Sequence, residues 1–283
     1  MNKSRLREYF SKELGWGWRR EYESRAVFAF LVNAAELYEN GVILDAGAGR
    51  KRYEPFFQDC IYISQEHEQG INFKGMQDVS YDLVGPLDER IPLKDNSVDG
   101  ILSSSVIEHL RHPERFFEEA FRVLVPGGRL FVIVPFCIAE HEVPFDFNRP
   151  TRFGLKLWFE SAGFQEITIN AGSSSTKTIC TLFPKAVRED MLRCCHITSR
   201  DILAASRKQG WHVAILTALH FVYIRIVMIL VKVFCYGIAL LVDRGPYDTV
   251  SLTDGWIAVA TKPGKYIKRN FKDKTEFMQA QKI

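Results

Sequence analysis

The chain has 283 residues, 47% hydrophobic and 25% charged, with a formal net charge of +3. That length fits one large domain with an addition. The apolar share excludes a disordered chain, and charges spread along the sequence exclude a polytopic membrane protein. With 37 basic against 34 acidic residues there is no strong field for wrapping nucleic acid, so none is expected as a partner.

Met1 to Glu8 is polar and no apolar run follows, so no secretory leader is expected and the chain is placed in the cytoplasm. Six cysteines in this length make no disulfide scaffold. Cys60, Cys137, Cys180 and Cys235 lie in apolar surroundings and read as small core residues. Cys194-Cys195-His196 has no second pair at ligand spacing, so no metal is expected there.

Residues 1–40 form an N-terminal helical segment, in which 20–39 read as an amphipathic helix with Ala26, Phe30, Ala34 and Leu37 on one stripe. Gly41 to Asp45 is a short apolar run, the mark of a buried strand, and Gly47-Ala48-Gly49 ends it. Further short runs at 60–63, 98–102 and 129–134 predict strands. A helix over 113–125 starts at Pro113 and stops at Pro126-Gly127-Gly128, with Phe117, Ala120, Phe121 and Leu124 inward. Thr151 to Ala162 predicts another helix, with Thr151 as N-cap and Gly163 as stop. Phe164–Ile169 and Gly255–Thr261 are the last strands. Strands alternating with helices predict an α/β fold with a parallel sheet covered on both faces.

The strongest motif is Val42-Ile43-Leu44-Asp45-Ala46-Gly47-Ala48-Gly49. Glycines let the backbone approach a ligand closely, and ligands bind beyond the carboxyl ends of parallel strands. Glu66, at the end of the next strand, is placed to accept both hydroxyls of a ribose. Lys51 occupies the place of a third dinucleotide-fingerprint glycine, which weakens NAD as the ligand, although Arg50, Lys51 and Arg52 could offset phosphate charge.

These pieces continue in order with Ile91-Pro92-Leu93-Lys94-Asp95-Asn96-Ser97-Val98-Asp99, Val106-Ile107-Glu108-His109-Leu110 and Arg122-Val123-Leu124-Val125-Pro126-Gly127-Gly128. The order resembles a class I S-adenosylmethionine-dependent methyltransferase of the type 11 subgroup, over roughly 40–170 plus a strand near 255–262. The resemblance implies a Rossmann-like seven-stranded sheet whose last strand is antiparallel, with S-adenosylmethionine as cofactor. It implies that Asp45, Gly47 and Gly49 hold the cofactor's amino acid part and Glu66 its ribose. Ser64 and Gln65 depart from the family pattern beside Glu66. Asp88 lies near the adenine-contacting acid, with Pro86 and Leu87 as alternative equivalents. Ser103, Ser104 and Ser105 end the fourth strand, facing the cofactor. Glu108-His109 is expected to hold the scaffold without a metal, because Ser105, where a further anionic ligand would stand, is a poor one.

The loop Glu140 to Thr151 follows the fifth strand and is dense in titratable and aromatic residues. Here His141 is the candidate general base, Asp146 its orienting partner and Arg149 the anchor for an anionic acceptor. The competing reading is a structural loop in which Asp146 and Arg149 pair and cap the next helix. Because the loop offers a base, O-methylation of a small-molecule or lipid- or glycan-linked acceptor is the first expectation. A catalytically silent membrane-associated cofactor-binding protein and an NAD-dependent enzyme are the alternatives.

The core is expected over 41–171 and 255–262, with a hydrophobic helical insertion over 172–254 before the last strand. Within it, 211–242 is strongly apolar, but Arg225 and Lys232 divide it, and no uncharged run reaches the roughly 20 residues of a clean span. Read as one helix, Arg225, Lys232 and Asp243 form a narrow polar strip, which a break at Gly237 would spoil. Three readings stand: burial against the sheet or in a homodimer, an interfacial membrane helix, or a span with snorkelling cations. The tail 263–283 follows Lys262 and is basic, with Lys265, Lys268, Arg269, Lys272 and Lys274, which favours peripheral contact with an anionic membrane face.

Overall fold

The computed structural model describes residues 32, 37–38, 41–68, 78–195, 211–242, 252–267, 269 and 271–281. Seven strands form one sheet: β1 (Val42–Ala46), β2 (Ile61–Glu66), β3 (Leu83–Val84), β4 (Val98–Ser104), β5 (Leu124–Pro135), β6 (Gln165–Ala171) and β7 (Gly255–Thr261). Their order is β3-β2-β1-β4-β5-β7-β6. The first five run parallel; β7 is antiparallel to both β5 and β6. The sheet is the expected seven-stranded one with its last strand antiparallel.

The sequence runs explain the strands. All of β1 is buried, and β4 and β5 carry long buried stretches, as expected of strands covered on both faces. The order reverses at β1, where β2 lies on one side and β4 on the other, so the carboxyl ends of these strands flank a crevice.

Helix α1 (Pro113–Val123) begins at proline and buries Phe116, Phe117, Ala120 and Val123. It ends earlier than the glycine pair suggests. Leu124 already pairs with Val98 in the sheet, so tertiary pairing ends the helix before Pro126. Gly127 lies at φ 79° and donates its N–H to Lys262 O at 2.9 Å, which closes the edge of β5 against the end of β7. Helix α2 (Arg152–Ser161) is capped by the Thr151 hydroxyl, which accepts from Gly154 N–H at 3.1 Å, and stops at Gly163 with φ 97°.

Most of the helix expected over 20–39 lies outside the described residues. Of its stripe, Leu37 is 47% exposed while Val32 and Tyr38 are buried. At these described positions Tyr38, not Leu37, points inward, and its ring meets Phe131 and Tyr266 edge-on. The two-residue strand β3 is too short to leave a sequence pattern. Part of the basic tail packs into the fold. Helix α5 (Lys274–Gln281) buries Phe277, and Lys274 pairs with Asp82 at 2.6 Å. Asp82 in turn accepts from the backbone N–H and hydroxyl of Ser64 on β2.

The chain divides into two compact units, and Ser173–Thr253 forms the second. It holds α3 (Ser175–Cys195) and α4 (Trp211–Val242), which pack on each other. Helix α4 runs through Gly237 without a break, and among its described side chains Met228 and Cys235, two turns apart, are buried. Asp243 of the expected polar strip and His196 lie outside the described residues.

Lys262 follows β7 and works as a staple. Its ammonium donates to Asn96 Oδ1 at 2.7 Å, Phe121 O at 2.6 Å and Leu124 O at 2.8 Å, and lies 4.7 Å from the Phe121 ring centroid. Three charge-assisted bonds tie the end of β7 to the turn before β4, to α1 and to the start of β5. Lys262→Met should therefore lower unfolding free energy by about 1.5–3 kcal/mol in urea titrations. No loss would show that water replaces the staple without cost.

Candidate active site

The glycine turn is built from strand register. Pairing of Ala46 with Gln65 brings the end of β1 level with the end of β2. Gly47 and Ala48 then donate to Gln65 O at 3.1 and 2.9 Å, and Gly47 N–H also lies 3.2 Å from Gln65 Oε1. Gly49 N–H donates to Glu66 Oε2 at 2.8 Å, while Glu66 Oε1 accepts from His67 N–H. Tyr81 donates its hydroxyl to Gly49 O at 2.8 Å. The turn is thus held by backbone and side-chain acceptors of Gln65 and Glu66, the last two residues of β2. Gly47 has φ 80°, and a Cβ there would come within 2.3 Å of Val106 Cγ2. No other residue fits that approach.

The structure brings Asp45, Gly47, Gly49 and Glu66 together around this turn. Asp45 is 1% exposed and accepts from the Tyr62 hydroxyl. Tyr62 pairs with Ile43, two residues from Asp45 on the same face. Burial raises the Asp45 carboxyl to about 7, against the lowering effect of the Tyr62 bond. Ser104 shares a hydrogen bond with the Tyr53 hydroxyl at 2.9 Å. Ser105, at φ 54°, donates its N–H to Ile133 O at 2.8 Å. Asp88 stands apart from this group: its carboxylate accepts from Arg111 and His112 N–H, both at 3.2 Å, and steadies the entry to α1.

A second group lies beyond the ends of β4 and β5. A short 3-10 helix over Ile107–His109 follows β4, and Phe147 and Asn148 N–H donate to Glu108 O at 2.7 and 3.1 Å. This stitches the β5 loop to it. The structure brings His141, Asp146 and Arg149 together. Asp146 accepts from His141 N–H at 2.9 Å and lies 3.3 Å from its Nδ1. Both terminal nitrogens of Arg149 donate to Asp146. The guanidinium fork is therefore spent on Asp146, and the grip expected on an anionic acceptor has no free fork in this arrangement. The helix cap comes from Thr151, not from this pair. Burial pushes the Asp146 carboxyl up, but Arg149 and the His141 N–H outweigh it and hold it below its ordinary value.

The residue that sequence reasoning placed in the scaffold is Glu108. Its side chain is fully buried, and neither carboxylate oxygen has a hydrogen-bond partner. His141 Nε2 lies 3.6 Å away. That carboxylate raises the His141 imidazole above its ordinary value, against burial, which lowers it. The sequence signal for this is slight: an acid followed by histidine after a strand carries no mark of burial.

Residues 59–132 match the family model described as "Methyltransferase domain". The match spans β2 to most of β5 and includes Glu66, Asp88, Ser104, Ser105 and Glu108; the glycine turn and the His141 loop lie outside it. An "Uncharacterized methyltransferase" of Mycobacteroides abscessus is 37% identical over 94 residues, 30% of this chain and 36% of that protein. A "Probable S-adenosylmethionine-dependent methyltransferase" of Mycolicibacterium smegmatis is 49% identical over 45 residues, 16% of this chain and 18% of that protein. The chain thus spans well under half the length of these two curated relatives. Among solved structures, the "Complex between the Haloferax volcanii Trm112 methyltransferase activator and the putative methyltransferase" contains a chain with a TM-score of 0.49 at 16% identity. The coverage there is 93% of this chain and 95% of that one. Over residues 59–132 the chain is thus similar to a methyltransferase domain.

Asp45 gives a stability prediction. Its folded pKa, about 7, lies above the ordinary 3.8. The native state therefore holds a proton that the unfolded chain has lost. The contribution is fully present below the ordinary value and disappears as pH rises through about 7. Urea titrations across that window should show a decline on the order of 4 kcal/mol, absent from Asp45→Asn. Equal slopes in the two proteins would place the burdened acid elsewhere.

Proposed function

We propose that the protein transfers the methyl group of S-adenosylmethionine to an oxygen atom of a small-molecule or lipid- or glycan-linked acceptor. The observation that carries this reading is Glu66 beside Gly49 at the carboxyl end of β2. In this position a carboxylate can take the two ribose hydroxyls, while Gly47 and Gly49, which carry no side chain, let the cofactor's amino acid part approach the turn closely. Asp45 braces that turn from within the sheet. Ser104 and Ser105 line the same crevice from β4. Asp88 serves as scaffold through Arg111 and His112.

The cofactor's sulfonium already activates the methyl group. The protein must align acceptor oxygen and methyl carbon, and alignment alone supplies up to about 7–11 kcal/mol. The acceptor proton leaves at the cluster around His141, which Asp146 and Arg149 hold in place. NAD is the poorer ligand, since Lys51, at φ 53°, stands where the third glycine would be.

Titration calorimetry separates the alternatives. S-adenosylmethionine and S-adenosylhomocysteine should bind, and NAD should not. Failure of the first two to bind would defeat this reading. Glu66→Ala should weaken S-adenosylmethionine at least about tenfold, or 1.4 kcal/mol; unchanged affinity would remove Glu66 from the ribose. Binding without label transfer to any lysate acceptor would favour a silent binding protein.

The second unit supports peripheral membrane contact. On α4, Leu219, Ile229, Leu230, Val233, Phe234 and Leu241 are each at least 59% exposed. So broad an apolar surface marks an interaction site. Among the described residues no helix is long and apolar enough to cross a membrane. We expect cosedimentation with vesicles containing anionic lipid, reduced by Leu230→Glu with Phe234→Glu. A protein that stays in the supernatant would refute it.

A further inference from the structure

The Glu108 carboxylate is buried with both oxygens unpartnered. An uncompensated buried charge costs several kcal/mol. What surrounds it is a set of donor atoms. His141 Nε2 lies 3.6 Å and His109 Nε2 3.7 Å from Glu108 Oε1. Glu142 Oε2 lies 3.5 Å from His109 Nε2. These separations are too long for hydrogen bonds. They are close to the roughly 3.0–3.5 Å edges of a coordination shell with ligand bonds near 2.1 Å. The ligand atoms of Glu108, His109 and His141 all lie within 4.8 Å of one another.

The imidazoles are oriented for this. His109 Nδ1 lies 2.6 Å from Phe145 O, so that nitrogen carries the proton and Nε2 keeps its lone pair toward the cluster. His141 Nδ1 lies 3.3 Å from both Asp146 Oδ2 and Arg149 Nη2, which fix the ring with its Nε2 toward Glu108. A carbonyl or carboxylate behind a histidine is the usual outer support of a metal ligand.

We propose that Glu108, His109 and His141 bind one divalent first-row transition ion, with Glu142 as a further ligand from the β5 loop. Two imidazoles with carboxylates suit Zn²⁺, Co²⁺ or Mn²⁺ better than Mg²⁺, which prefers oxygen ligands. The expectation of no metal looked to Ser105; the fold instead brings His141 and Glu142 across from the next loop. Binding rests on this geometry alone; its purpose rests on the methyl-transfer reading. The ion would take the acceptor's hydroxyl oxygen and lower its pKa, so that its proton leaves to solvent. The oxygen then forms the bond to the methyl carbon as the carbon–sulfur bond breaks, with the electron pair passing to sulfur.

The test uses the full chain, freed of metal by chelator and titrated with Co²⁺ by visible absorption and with Zn²⁺ by calorimetry. One saturable equivalent is expected, with Mg²⁺ at least about tenfold weaker. Glu108→Gln and His141→Ala should each weaken Zn²⁺ by at least about tenfold, and thermal melts should show that both remain folded. If either fails to fold, Glu142→Gln, on a half-exposed side chain, replaces it and should weaken Zn²⁺ severalfold. Absence of saturable binding, or equal binding by the variants, would overturn the proposal. S-adenosylmethionine titrated separately keeps the readings apart: cofactor binding without metal defeats only this inference, and metal without cofactor only the methyl-transfer reading.

Discussion

The register between β1 and β2 is the constraint on which the glycine turn and its crevice depend. It sets Ala46 opposite Gln65, so the glycine turn receives its hydrogen bonds from the last two residues of β2. A slip of one residue would turn Gln65 and Glu66 to the opposite faces. The turn would lose its acceptors, and the carboxylate its place beside Gly49. The close approach of Gly47 to Val106 then ties the turn to the loop after β4. One strand pairing thus orients residues from three connections.

The second polar group depends on a different join. Phe147 and Asn148 donate to Glu108 O, which pins the loop after β5 to the short helix after β4. His141, Glu142, Asp146 and Arg149 belong to one loop and Glu108 and His109 to the other. Neighbouring parallel strands put the loops side by side, and two backbone hydrogen bonds set their alignment. The buried carboxylate between them is the least satisfied polar group of the site, and its surroundings hold the chemical interest.

Much of the sheet was legible because buried parallel strands read as short apolar runs between glycine, proline and helical spacing. The glycine turn was legible for the same reason, since strand, acid and glycines occur consecutively. Other features were not, and each for a physical cause. Strand β3 has two residues, too few for a period. Helix α1 ends at Val123 because Leu124 pairs with Val98, a contact distant in sequence. Tyr62 binds Asp45 through a diagonal cross-strand neighbour, and no spacing rule marks it. Lys262 and Lys274 read as tail charges, yet both are committed to bonds inside the fold. The burial of Glu108 and the engagement of Arg149 with Asp146 are tertiary facts. A list of titratable residues in a loop does not contain them.

The antiparallel strand has a further consequence. The chain leaves the sheet after β6 and returns as β7 on the adjoining line, with Gly172 N–H donating to Gly255 O at 2.8 Å. The two ends of the 173–253 segment are therefore held together by the sheet itself. Loop-closure entropy grows only with the logarithm of length, about 0.6 kcal/mol per doubling. The sheet's stability should thus be nearly indifferent to how much chain is strung between these glycines. The segment that carries α3 and α4 can change in length or composition at little thermodynamic cost to the sheet.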